Sequence, residues 1–298
     1  MSMNWPTFRT RALTALVFVT VMLGGLLWNT WSFFILFSII HTGCWIEYHQ
    51  LNTRILPTYA SLHKFFTAGL VITGWALCFL LYQKGINNQL FDTAGMVLGV
   101  VGLLCLISGL LLSLKAGFKS ILRAFTGFIY LSLSFALLLH LRSGAIWLPS
   151  SSDDAFGFTE SIAGINGYYA PLVLIGSIWI NDTMAYIVGS FIGKTPLSPI
   201  SPKKTWEGTI GGIILAVLIA FLTGHFTSGI TAGWQFATIA AIASVAGTFG
   251  DLLESKIKRL AGVKDSGTIM PGHGGFMDRF DSLLIATPFV WGYLWLVA

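Results

Sequence analysis

The feature that most constrains this chain is the recurrence of long apolar stretches almost free of charge. Nine of them, with approximate cores at 12–28, 31–47, 65–83, 94–114, 124–141, 170–193, 208–227, 234–253 and 280–297, punctuate the 298 residues. A helix of about 20 apolar residues matches the roughly 30 Å hydrocarbon core of a bilayer, so each stretch is a candidate membrane span. A hydrophobic content of 55% in a chain this long would suit a large soluble domain; the segregation of the apolar residues into blocks does not. The expected fold is an all-α, polytopic integral membrane protein with about nine transmembrane helices.

Nine crossings put the termini on opposite sides, and the basic residues say which side is which. With the N-terminus cytoplasmic, the inner segments hold Arg9, Arg11, Arg54, Lys64, Lys115, Lys119, Arg123, Lys194, Lys203, Lys204, Lys256, Lys258, Arg259, Lys264 and Arg279, whereas the outer side holds only Lys84 and Arg142. That asymmetry follows the positive-inside rule. It also accounts for the net charge of +5 as a topology signal, with no nucleic acid implied. Arg9 and Arg11 ahead of the first apolar run resemble a secretory leader, but no small-x-small site follows, so a retained first helix is expected. Cys44, Cys78 and Cys105 lie inside apolar segments without a CxxC pair, and helix packing is their expected role.

Polar residues concentrate where lipid would exclude them at three places, all late in the chain. Residues 1–165 therefore read as a transmembrane scaffold of about five helices, and 166–298 as a catalytic region of about four helices with cytoplasmic loops. The first place is Trp179–Lys194, where Asp182 falls mid-span at an insertion cost of about 2.5–3.5 kcal/mol. At helical spacing Asp182, Tyr186, Gly189 and Gly193 share a face, which suits either a hydrophilic cavity or a packing face with a protonated aspartate. The second is Ser198–Gly208, expected as an irregular loop because of its prolines. Lys203 and Lys204 precede a helix that Thr205 can cap, which describes a phosphate site or a simple topological anchor.

The third place, Gly250–Ser282, is the densest. It holds Asp251, Glu254, Asp265, Asp278 and Asp281 beside Lys256, Lys258, Arg259, Lys264 and Arg279. Asp251, Glu254, Ser255 and Lys258 fall on one helical face, and Asp278, Asp281 and Ser282 repeat that pattern after a glycine-rich loop. Two carboxylate-bearing helix ends can meet around a hard cation such as Mg²⁺, with waters and phosphates completing its shell. His273 sits in flexible GHGG and has no second imidazole or thiolate nearby for zinc. Glu47 closes the second span with no evident partner, and His41, His49, His63, His140 and His225 read as structural. The acidic loop near 148–168 shows no chemistry.

These residues carry a resemblance. Ser255-x-Ile257-Lys258-Arg259, Lys264-Asp265-x-Gly267 and Pro271-x-His273-Gly274-Gly275-x-x-Asp278-Arg279-x-Asp281 are similar to the signature of the phosphatidate cytidylyltransferases, or CDP-diacylglycerol synthases. The segments from Asp182 and from Ser201 resemble the same family, and Met270 replaces its usual Leu, Ile or Phe. The resemblance implies that CTP and phosphatidic acid give CDP-diacylglycerol and pyrophosphate in a Mg²⁺-dependent reaction, with a second metal or a monovalent cation left open. It implies a bacterial inner-membrane protein whose site faces the cytoplasm. In this reading Asp251, Asp278 and Asp281 hold metal, while Lys258, Lys264, Asp278 and Arg279 are catalytic. Asp182, Lys203, Lys204, Ser255, Arg259, His273, Gly274 and Gly275 bind substrate, the last three partly through phosphate-directed hydrogen bonds. Membrane lipid is the surrounding partner, no nucleic acid is expected, and the first five helices offer a homodimer surface.

Two rival readings remain at this level. A CTP-dependent lipid kinase of the dolichol type has similar middle segments but must deprotonate an alcohol. An ion-coupled transporter would use the same carboxylates, yet no inverted repeat is visible.

Overall fold

A computed structural model of the chain describes residues 5–86, 88–143, 169–268 and 274–297. Ten α-helices dominate: α1 (Trp5–Leu27), α2 (Thr30–Ile55), α3 (Lys64–Ile86), α4 (Gln89–Ser113), α5 (Phe118–Gly127), α6 (Ser134–Ser143), α7 (Tyr169–Ile192), α8 (Trp206–Ser228), α9 (Ile230–Leu260) and α10 (Met277–Val297). A π-helical stretch, Phe128–Leu133, joins α5 to α6, so Phe118–Ser143 runs as one rod. His273, Met270 and the acidic segment near 148–168 lie outside the described residues.

Among the described residues seven helices are long and apolar enough to cross a membrane, from Lys64–Tyr82 through Met277–Val297. They coincide with the last seven expected spans. The other two expected spans fall on α1, which holds the apolar segment Leu16–Leu27 among its described residues, and on α2, whose apolar run is diluted by His41, Thr42, Glu47 and His49. The architecture is that of a helical polytopic membrane protein. Along α4, Val100, Leu104, Ile107 and Leu111 are all at least 60% exposed. In water such a stripe would be an aggregation surface; against lipid it matches its solvent.

Helix starts follow local chemistry. Asn29 and Ser32 form a reciprocal capping box at α2, with N–H···O distances of 2.8 and 3.0 Å. Thr205 caps α8 as its position suggested, its hydroxyl accepting from Gly208 N–H at 3.2 Å. The α9 C-terminus closes through Gly262 at φ +69°, with Val263 N–H reaching the Lys258 carbonyl at 3.0 Å. At 31 residues, α9 is about 46 Å long and outreaches a bilayer core of about 30 Å.

The Ser198–Gly208 segment is not the irregular loop expected. Strands β1 (Pro196–Ser198) and β2 (Ser201–Thr205) pair antiparallel, Pro196 opposite Thr205 and Ser198 opposite Ser201. Proline is excluded from central strands because it lacks an N–H, but a two-stranded ribbon consists only of edges. Glu207, in the first turn of α8, ties the ribbon down by accepting from Lys194 N–H at 3.1 Å, Thr195 N–H at 3.2 Å and the Thr195 hydroxyl at 2.8 Å.

The chain sorts into two compact units that interleave along it. One unit comprises Met1–Trp75, Leu98–Ser132 and Ile257–Phe280; the other comprises Ala76–Val97, Leu133–Lys256 and Asp281–Ala298. The first is organised on α2, where Phe33, Phe37, Cys44, Trp45 and Leu51 are buried. There Ser132, from the π-helical stretch, meets His41 Nε2 at 2.9 Å and Trp45 Nε1 at 2.9 Å. That satisfies polar groups lipid could not serve.

In the second unit α7 and α8 lie backbone to backbone. A Cβ on Gly212 would stand 2.7 Å from the Asn181 carbonyl and 2.8 Å from the Ala185 Cβ, the close approach that small residues permit in membranes. Gly212→Val is therefore expected to lower the thermal midpoint in detergent, at an overpacking cost of about 1–3 kcal/mol. Helical ellipticity followed on heating is the check.

Candidate active site

The face predicted from the Asp182 spacing is the wall of a cavity of about 420 Å³, lined by Asp182, Tyr186, Gly189, Lys203, Lys204 and Asp251 among others. Four elements line it, Thr209 coming from α8. The α7 helix supplies Asp182, the ribbon carries Lys203 and Lys204 to its rim, and α9 supplies Asp251. Gly247 and Gly250, one turn apart on α9, explain why Asp281 joins them. A Cβ on Gly247 would stand 3.3 Å from the Ser282 Cβ, and one on Gly250 3.1 Å from the Ser282 Cα. The α9 and α10 backbones thus touch where the carboxylates project.

Lys204 forms an ion pair with Asp251. Burial disfavours the Lys204 charge, but the Asp251 carboxylate, then Asp182 and Asp281, more than offset it, and the ammonium pKa is raised above that of an ordinary lysine. It stays cationic across the physiological range. Ser255, one turn along α9, donates to Asp251 Oδ1 at 3.3 Å, and Ser282 N–H donates to Asp281 Oδ1 at 2.6 Å. Glu254, placed on the Asp251 face by spacing, is fully buried.

A second constellation lies in the unit built on α2. Asp278, in the first turn of α10, accepts from Lys258 Nζ at 2.6 Å on Oδ1. Its Oδ2 accepts from Ser266 N–H at 2.8 Å, the Ser266 hydroxyl at 3.0 Å and Gly275 N–H at 2.7 Å. The last contact ties the residue before the helix entry back to the first turn of α10. The adjacent glycines serve two separate needs. Gly274 sits at φ +85°, where side chains are strained, and Gly275 has the Glu47 carboxylate where a Cβ would go.

One expectation needs correction. Gly275 N–H, expected to donate to a phosphate, donates to Asp278 here. Glu47, read as lacking a partner, is only 5% exposed and accepts from the Ser266 hydroxyl at 2.7 Å, Phe276 N–H at 2.7 Å and Met277 N–H at 2.8 Å. The sequence did hold a signal: an acid at the end of an apolar helix demands donors. Its nearest donor in sequence lies 219 residues downstream, beyond any local pattern. Of the remaining predicted residues, Lys203, Lys264 and Arg279 are exposed, and so is Arg259, which donates to the Val263 carbonyl at 3.3 Å. His273 is outside the described residues.

Among the described residues no three His, Cys, Asp or Glu side chains converge as a ready metal cluster. The donor chemistry nevertheless fits a hard cation. Asp251 and Asp281, with Asp182 in electrostatic reach, offer carboxylate oxygens, and Mg²⁺ characteristically takes one or two of these plus waters and phosphate oxygens.

Helices long and apolar enough to cross a membrane thus carry carboxylates and ammonium groups near their ends. Residues 9–297 match the model of the Cytidylyltransferase family, and the chain belongs to that family. It is 33% identical over 285 residues to a phosphatidate cytidylyltransferase of Brucella abortus, covering 93% of this chain and 90% of that protein. Similarity is higher but more local to the proteins of that name from Haemophilus influenzae, 44% over 129 residues, and Staphylococcus saprophyticus, 47% over 112 residues. Those matches cover 42% and 37% of this chain and span less than half of the two relatives, 45% and 43%.

Proposed function

We propose that the protein transfers the cytidylyl group of CTP to phosphatidic acid, releasing pyrophosphate and forming CDP-diacylglycerol. The observation that carries this reading is the polar cavity in which Lys204 is held cationic by Asp251, beside Asp182 and Asp281. It handles triphosphate charge within reach of lipid. The relatives named above point to the same chemistry.

The lipid phosphate is already ionised, since its second pKa is about 6, so the attack needs no general base. A phosphate oxygen of the lipid forms a bond to the α-phosphorus of CTP as the bond to the bridging oxygen breaks, and pyrophosphate leaves with that electron pair. Catalysis then reduces to alignment and charge neutralisation. Lys203 and Lys204 receive phosphate oxygens at the cavity rim. Lys258, aimed by Asp278, and the exposed Lys264 and Arg279 balance charge on the transferring and leaving groups, with Arg259 and Ser255 in support. Asp251 and Asp281 would hold Mg²⁺, and the remaining lone pair of Asp278 Oδ1 is suited to the same duty. Bound there, Mg²⁺ would neutralise charge on the triphosphate. His273 completes the reading as a phosphate-directed donor.

The same reading sets nine crossings, a cytoplasmic N-terminus and cytoplasm-facing loops in a bacterial inner membrane, with the exposed α4 stripe as the surface on which a second copy would pair. The test supplies purified protein with phosphatidic acid, Mg²⁺ and CTP labelled separately at the α- and γ-phosphorus. Label from the α position is expected in the lipid, with pyrophosphate released. Label from the γ position in a lipid alcohol would move the protein to the kinase reading. Vectorial ion uptake without CTP turnover would move it to the transporter.

A further inference from the structure

We infer that Glu47 is a positioning residue for this reaction: a carboxylate from α2 that locks the start of α10 to the loop after α9, and thereby sets Asp278 and Lys258. The inference rests on the cytidylyl-transfer reading.

The argument begins with donors. The first backbone N–H groups of a helix have no partner within it. At α10 Gly275 N–H goes to Asp278, while Phe276 and Met277 N–H go to the two oxygens of Glu47. The Ser266 hydroxyl lies 2.7 Å from Glu47 Oε2 and 3.0 Å from Asp278 Oδ2, so this one side chain links the two carboxylates. Among the described residues the three groups hydrogen-bonded to Glu47 are all donors, and an acceptor-only side chain answers all three.

Sterics point the same way. A Cβ on Gly267 or on Gly275 would run into the Glu47 carboxylate. Gly43, one turn before Glu47 on α2, leaves the space that the Phe276 ring fills. Phe37 then meets Phe280 edge to face, with ring centroids 6.3 Å apart. The α2 helix therefore grips the start of α10 from three positions, and Glu47 supplies the polar one. Asp278 is bonded to Ser266 and follows Met277 directly, so its direction toward Lys258 depends on this grip. Glu47 itself need touch no substrate.

The test compares wild type with Glu47→Gln and Gly267→Ala, using α-labelled CTP at saturating phosphatidic acid below the thermal midpoint of each variant. Glutamine keeps the size but turns an NH₂ toward at least one donor. The alanine methyl displaces the carboxylate while retaining its charge. Each is expected to lower kcat by about tenfold to a hundredfold, the scale of a small misplacement of reacting groups, with KM for CTP within about twofold of wild type. The double variant is expected to be no worse than the worse single, because both changes open one clamp. Wild-type kcat in either folded variant, or losses that rise in KM instead, would overturn the positioning role. If Glu47→Gln does not fold, Gly267→Ala carries the decision alone. Absence of α-label transfer by wild type would overturn the underlying reading, and this inference with it.

Discussion

Asp251→Asn is expected to reduce turnover by at least about 10²–10³-fold, the scale seen when a preorganised electrostatic partner is removed from a transfer site. The substitution keeps the shape of the side chain and its contact with Ser255, but takes the charge from the ion pair with Lys204. Two consequences are separable. Lys204 loses the largest influence supporting its cationic form, which weakens the grip on triphosphate. The cavity also loses a carboxylate fit to hold Mg²⁺. Lys204→Met tests the first alone and is expected to raise KM for CTP while leaving the Mg²⁺ midpoint where it was. Asp251→Asn is expected to move the Mg²⁺ midpoint upward as well. Identical behaviour of the two variants, with an unmoved Mg²⁺ midpoint, would reduce Asp251 to a counter-ion.

Much of this cavity was legible because helical geometry is local. The 3.6-residue period placed Asp182, Tyr186, Gly189 and Gly193 on one face, and the first three of them line the cavity. Thr205 could be read as a cap because capping acts over three residues. What stayed hidden depends on separation or on competing uses of one residue type. The pairing of Pro196 with Thr205 overrode the usual reading of proline, since a ribbon of two edges tolerates it. Gly275 was read as a place for phosphate to approach the backbone. A glycine needed for clearance around Glu47 looks the same in sequence. Glu47 was found to be acidic, apolar-flanked and in need of donors, yet those donors lie beyond position 260. Long-range grouping is hidden for a related reason: Ile257–Phe280 groups with α2, through contacts that no window along the chain contains.

Asp278→Asn is expected to bring turnover below about a hundredth of wild type, on the same electrostatic scale, while the protein remains helical and monodisperse. Among the described residues, the four groups bonded to this carboxylate are donors: the Lys258 ammonium, the Ser266 N–H, the Ser266 hydroxyl and the Gly275 N–H. An amide has one acceptor oxygen, so its NH₂ must face either the ammonium or the cluster of three. With side-chain exposures of 13% for Lys258 and 8% for Asp278, the surviving ammonium is left largely dry and loses its 2.6 Å contact with the carboxylate. Removing one member of such a pair destabilises because the other charge stays behind. A lower thermal midpoint is therefore expected together with the lost activity, and the two effects must be separated. Asp278→Asn combined with Lys258→Met removes the stranded charge, so the midpoint is expected to recover. Activity is not, if Lys258 balances phosphate charge and Asp278 aims it. Recovery of turnover in step with stability would show that the pair only holds the loop, and would transfer the chemistry to the Lys204 cavity.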